Sequence, residues 1–272
     1  MNSHVGPLSL NSVLPIHIAL YIANLKSKGL SCSTIKTYIS ALSFVFKLNN
    51  IPEPTSSLLV SKALLGAQRT TTQLPQLSPI TKPVLVELLT CLDHLSLSPY
   101  RKVLTRAMFL LAFFGCLRAS EYLSTRTSKH MLLLDDITVK NKENSKYLLI
   151  NFRSYKHSKN ACKIRIPPST SSNCPVSSIE RYLHLRGRKP GPFFVSGKNS
   201  PIPRNAFAQL LKRCVTYTGK DPSAYNTHSF RIGRATQLAV EGHSEDTIKK
   251  AGRWNSHAFV KYIRPSVIAL PS

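Results

Sequence analysis

Three short stretches place cations and a phenol where chemistry could follow. In Gly115-Cys-Leu-Arg118-Ala-Ser-Glu121, an arginine closes an apolar run of 11 residues, Ala107 to Leu117. Arg118 and Glu121 are three apart, a spacing that puts them on one helix face. Read plainly, they form an exposed ion pair of small worth. The buried run before them argues for more, because a guanidinium leaving a core helix has a fixed direction, as anion recognition requires. In Asn226-Thr-His228-Ser-Phe-Arg231, the pair falls at the start of a helix, where backbone N–H groups already favour an anion. A lone histidine there is more often a solvated cap, but with Arg231 in a basic chain it points to phosphate. The third stretch, Ala251-Gly-Arg253-Trp254 through Tyr262-Ile-Arg264, holds the only Trp and a tyrosine eight residues later. Alone, Tyr262 is one of 10 tyrosines and reads as packing in a Phe259, Tyr262, Ile263 stripe.

Other chemistries are disfavoured. Gly191 to Lys198 has five residues between its glycines, one too many for a phosphate-binding loop, and Asn199 follows where Ser or Thr should. Metal-dependent nuclease chemistry needs converging carboxylates. The pairs Asp135-Asp136 and Glu245-Asp246 are better explained as loop and helix-start residues, so neither a metal nor another cofactor is expected. The chain carries 37 Lys plus Arg against 12 Asp plus Glu, a formal charge of +25. With 42% hydrophobic and 18% charged residues it is a globular composition, not a polybasic tail. Such a chain needs a polyanion, either nucleic acid or an anionic surface. The 11-residue apolar run falls short of the roughly 18 needed to span a membrane. Residues 1–14 do not read as a signal peptide. Six cysteines without a CxxC pair fit a reducing compartment.

The elements that must carry these residues read as mainly α with a small β-sheet. Helices are expected at 15–28 (Ile18, Tyr21, Ile22, Leu25 inward), from Ser31 or Ser33 through Phe46 (Ile35, Tyr38, Ile39, Leu42, Val45 inward), and at 57–67. The polar, proline-bearing stretch 69–79 is the candidate linker. It divides the chain into domains at 1–70 and 81–272, with the linker at 71–80. Beyond it, helices are expected at 82–95, 99–123, 176–186, 204–218, 228–240, 245–251 and 256–263. Short strands are expected at 136–139, 146–153 and 163–167, with a turn at 151–160.

In this order, the residues resemble the tyrosine recombinase (phage integrase-like) family, whose pattern is Arg, a hairpin lysine, His-x-x-Arg, a His or Trp, then Tyr. The matching positions are Arg118, Lys156, His228 with Arg231, Trp254 and Tyr262, with Glu121 at the family's acidic position. Ser229-Phe-Arg-Ile-Gly, Gly252-Arg-Trp254 and Tyr262-Ile-Arg264 look most like recombinases of DIRS-type retrotransposons. The resemblance covers nearly the whole chain. It implies a helical core-binding domain that clamps DNA, followed by an α+β catalytic domain.

The resemblance also implies roles. Tyr262 would attack a DNA phosphodiester, leaving a covalent 3′-phosphotyrosine and a free 5′ hydroxyl. Arg118 and Arg231 would meet the charge on the phosphoryl oxygens as rigid, permanently charged forks. His228 would donate to the phosphate or relay a proton, and the Trp254 indole N–H adds a donor. Lys156, or Lys159 three residues on, would protonate the leaving oxygen. Glu121 would hold basic neighbours in place. Lys26, Lys28, Lys36, Arg69 and Lys159 are candidate phosphate contacts, with solvated faces as the plain alternative. The partner implied is double-stranded DNA, bound as a homotetramer on two sites, the free protein being a monomer or weak oligomer. Membrane is not an expected partner. The location implied is the nucleus, or the cytoplasm outside eukaryotes. The leading expectation is a metal-independent strand transferase acting for a mobile element. A DNA-binding protein that no longer recombines and a type IB topoisomerase-like enzyme stay open.

Overall fold

Side-chain hydroxyls set where the first helices begin. Ser31 Oγ accepts from Thr34 N at 3.2 Å and starts α2 (Cys32–Leu48). Ser57 Oγ accepts from Val60 N at 3.3 Å and starts α3 (Leu58–Arg69). Before them, α1 (Pro15–Ser27) opens on a proline, whose missing N–H costs nothing at that position. In this computed structural model the described residues are 10–70, 76–125, 130–143, 145–154 and 161–264. The chain divides after Pro75 into two units. In the first, α1, α2 and α3 enclose a core of Ile18, Ile22, Leu25, Ile35, Ile39, Phe46, Val60 and Ala67. Tyr21, Tyr38 and Val45, expected inward, are exposed, because the buried stripe is narrower than the apolar one. Lys28, Lys36 and Arg69 are also exposed, and Lys36 Nζ donates to Gln68 Oε1 at 2.9 Å.

The second unit is built around α5 (Pro99–Phe114). Its residues Ala107 to Phe113 are all buried, which explains the unbroken apolar run: this helix has no solvent face there. Packed around it are α4 (Lys82–His94), α7 (Pro175–Arg186) and α9 (Ser229–Val240), while α8 (Arg204–Tyr217) packs on α4. An antiparallel sheet of β1 (Ile137–Lys142), β2 (Ser145–Phe152) and β3 (Cys162–Ile166) runs in the order β1-β2-β3. Ile137 faces Ile150, and Ile150 faces Ile164. The inward set Ile137, Leu148, Ile150, Phe152 and Ile166 joins the core of α5. The fold is thus mainly helical with one small sheet. Gln76 to Ile80, read from sequence as linker, is tied into this unit: Ser78 N donates to Ala224 O at 2.8 Å and Ile80 N to Ser229 O at 3.0 Å.

Two expected helices differ in form. The span 99–123 is broken: α5 stops at Phe114, Cys116 turns left-handed with φ +47°, and a short α6 (Ala119–Tyr122) follows. The span 256–263 is a 3-10 helix, His257–Tyr262, after α10 (Glu245–Gly252). Among the described residues no helix is long and apolar enough to cross a membrane. Nor, among them, do three His, Cys, Asp or Glu side chains gather as a metal-ligand group.

Candidate active site

Two helix ends face inward and present carbonyls instead of side chains. At the end of α5, Leu117 N reaches back to Ala112 O at 3.0 Å with Cys116 left-handed between them. At the end of α10, Trp254 N reaches back to Lys249 O at 3.0 Å with Arg253 left-handed at φ +56°. Both are Schellman-type ends in which a residue other than glycine occupies the left-handed position, costing roughly 1–2 kcal/mol each. What the turns leave available is the C-terminal carbonyls, the negative poles of two helices.

Arg231 bridges those poles. It lies in the first turn of α9, with Nη1 donating to Cys116 O and Nη2 to Gly252 O. The residue is 1% exposed, and burial pushes its guanidinium down to about 10; Arg118 and Arg253 act in the same direction and Glu121 against it. The Trp254 ring covers it at 4.0 Å and the Tyr262 ring lies 5.5 Å away. Gly252 is required here, since a Cβ on it would fall 1.7 Å from the Trp254 ring.

Arg118 caps the N-terminus of α6 instead of sharing a helix face with Glu121. Glu121 Oε2 accepts from Arg118 N at 2.8 Å, and Oε1 from Arg118 Nη1 at 3.1 Å. Glu121 is 1% exposed, so the pair is not a surface one. A second cation holds it: Arg253 Nη2 donates to Glu121 Oε2 at 2.6 Å. Arg253 also donates to the carbonyls of Gly115, at 3.2 Å, and Cys116, at 3.3 Å. Its own carbonyl accepts from Arg118 Nη2 at 3.0 Å. Arg253 thus fixes Arg118 from both sides. It was not singled out from sequence as a site residue, and its neighbour Gly252 was the available signal.

His228 precedes α9, its N–H donating to Asn226 Oδ1 at 2.7 Å. Its Nε2 is 3.1 Å from the Tyr262 hydroxyl, and the two rings are 5.2 Å apart. Tyr262 also packs at 5.0 Å on Trp254. Arg118, Glu121, His228, Arg231, Trp254 and Tyr262 therefore gather in one place. Lys156 and Lys159 lie outside the described residues. Phe152, which ends β2, lies 4.0 Å from the Arg253 guanidinium carbon, so the end of β2 is beside this cluster. Nearby, Ser154 Oγ and His130 Nδ1 are 2.8 Å apart, and Asp136 Oδ1 accepts from Arg153 Nε at 2.8 Å.

The chemistry open to such a cluster is that of anion stabilisation beside a nucleophile. A phenol in hydrogen-bond reach of an imidazole can lose its proton as it attacks. Two guanidiniums held by carbonyls and a carboxylate are preorganised to meet developing negative charge.

Comparisons with known proteins agree with the fold. The structure of XerH site-specific recombinase, in a post-cleavage complex with palindromic difH substrate, matches with a TM-score of 0.67 at 18% identity, over 93% of this chain and 69% of that one. Tn1549 transposon integrase in complex with circular intermediate DNA matches with a TM-score of 0.65 at 16% identity, over 96% and 84%. A lambda integrase dimer bound to a COC′ core site matches with a TM-score of 0.60 at 14% identity, over 97% and 68%. Among curated proteins no sequence matches significantly. The profile of the Phage integrase family matches residues 80–266, which holds every residue of the cluster, and the chain belongs to that family.

Proposed function

We propose that the protein is a site-specific DNA recombinase that cuts and rejoins strands through a 3′-phosphotyrosine on Tyr262. The observation that carries this reading is the Tyr262 hydroxyl at 3.1 Å from His228 Nε2, within a cluster that also holds Arg118 and Arg231. The Tyr262 oxygen attacks the scissile phosphorus as its proton passes to His228. The bond to the 5′ oxygen breaks, and that oxygen takes a proton from Lys156. Rejoining is the reverse, so no nucleotide is consumed. Arg118 and Arg231 stabilise the phosphoryl oxygens, and the Trp254 N–H adds a donor. Arg231 is covered by two rings in the free protein, so the Trp254 and Tyr262 rings turn aside when the phosphate enters.

The likeness to Tn1549 transposon integrase and lambda integrase supports a mobile element as the setting, and the Gly252-Arg-Trp254 and Tyr262-Ile-Arg264 motifs alone support a DIRS-type one. Double-stranded DNA is the partner, contacted by the helical unit and by the catalytic one, with protomers assembled as a tetramer on two sites. Lys26, Lys28, Lys36, Arg69 and Lys159 contribute phosphate contacts. The phenol can reach the cluster of its own chain, which supports cleavage in cis.

A nicked suicide substrate carrying the element's ends, resolved on a denaturing gel, tests this reading. The wild type forms a covalent adduct and frees a 5′ hydroxyl; Tyr262→Phe forms none. Mixing Tyr262→Phe with Arg231→Ala restores nothing if cleavage is in cis. Binding without any adduct would return the protein to a non-recombining DNA binder. Plasmid relaxation without joined products would make it a topoisomerase.

A further inference from the structure

Tyr262 is held by more than its phenol. Thr236 lies on α9 eight residues after His228, about 12 Å along the helix axis. Its hydroxyl is fully buried and accepts from Arg264 N at 3.0 Å. Its single proton is offered to Tyr262 O at 3.0 Å or Ile232 O at 2.8 Å. The backbone on both sides of Ile263 is thereby joined to the helix that carries His228 and Arg231. The Arg264 side chain makes a second attachment. With the Gln76 amide turned so that its oxygen faces the guanidinium, that oxygen accepts from Arg264 Nε at 3.0 Å and Nη2 at 2.8 Å.

Gln76 opens a strap that is itself fastened to α9. Ile80 N donates to Ser229 O at 3.0 Å, and a Cβ on Gly233 would lie 1.8 Å from Ile80 O. The strap thus touches the helix at the turn that carries Arg231. Resting on the reading of Tyr262 as nucleophile, we propose that Thr236 and Gln76 are positioning residues for it. Together they clip the Tyr262–Arg264 backbone to α9 and to the strap, so the phenol swings about a fixed pivot between His228 and the phosphate. Neither residue touches substrate. Displacing a reacting group by about 1 Å costs on the order of a hundred-fold in rate.

The test uses the full chain, with single-turnover adduct formation on the suicide substrate and DNA affinity measured in parallel. Thr236→Val and Gln76→Ala slow adduct formation about ten- to a hundred-fold while DNA affinity stays within about two-fold. Thr236→Ser and Gln76→Glu, which keep the acceptors, return it to near the wild-type rate. Gln76 is exposed, so its variants fold whatever happens at the buried threonine. A substrate with a 5′-bridging sulfur, whose leaving group needs no proton, leaves the defect in place; rescue by it would move the fault to the leaving-group step and overturn the clip. Wild-type rates in both variants would also overturn it, as would losses that follow affinity or folding and are not restored by Ser and Glu. Tyr262→Phe is run alongside: an adduct in that variant would instead overturn the assignment of the nucleophile.

Discussion

Arg231 shows what the site demands of a single residue. Burial disfavours its charged form and pushes its pKa in the folded chain down to about 10, below the ordinary arginine value. The sign follows: at any pH below about 10 the cation is charged in both states, and folding works against its burial. An anion entering the site reverses that cost. Short cognate duplex DNA is therefore expected to raise the melting temperature of the wild type by several degrees more than that of Arg231→Gln, at equal occupancy. Arg231→Lys keeps the charge and loses the fork that bridges Cys116 O and Gly252 O. Its adduct formation is expected to fall on the order of a hundred-fold or more, by suicide-substrate kinetics. The sequence showed the cations at 118 and 231 because their order in the chain is the family's. It did not show Arg253, because neither order nor spacing reveals that a left-handed turn aims a guanidinium at Glu121.

At the scale of elements, the site is an assembly of helix ends. The C-termini of α5 and α10 supply carbonyls, the N-terminus of α6 supplies Arg118, and the start of α9 supplies His228 and Arg231. Two glycines let these elements meet, and each is a test. Gly252→Ala drives a methyl into the Trp254 ring, and Gly233→Ala drives one into the Ile80 carbonyl. Each is expected to destabilise the fold by about 1–3 kcal/mol in urea titrations. Gly252→Ala should in addition abolish cleavage, because the displaced ring shifts the Trp254 N–H and the Gly252 carbonyl that holds Arg231. Most helices were legible in the sequence, because apolar spacing and serine caps at Ser31 and Ser57 announce them. The break at Cys116 was not, since the apolar run continues through it and no glycine marks the left-handed position. The 3-10 form of His257–Tyr262 was hidden for a similar reason, its stripe of apolar residues fitting an α-helix as well.

For the whole molecule, a formal charge of +25 sets how it meets its partner. Most of the 37 basic residues lie outside the cluster, where the proposed function uses them as phosphate contacts. DNA affinity is therefore expected to fall about a thousand-fold or more between roughly 50 and 200 mM salt, in binding titrations on a fixed duplex. Single-turnover cleavage of DNA already bound should change far less, because Arg231 and Glu121 are shielded from solvent. The proposed function thus divides the cations: the charge of the chain for binding, and the few held between helix ends for the reaction. The most direct test of that division is to digest the covalent adduct and map the linked nucleotide by mass spectrometry. A phosphodiester on Tyr262, absent from Tyr262→Phe, is the expected result; a nucleotide attached to any other residue would overturn the assignment of the nucleophile.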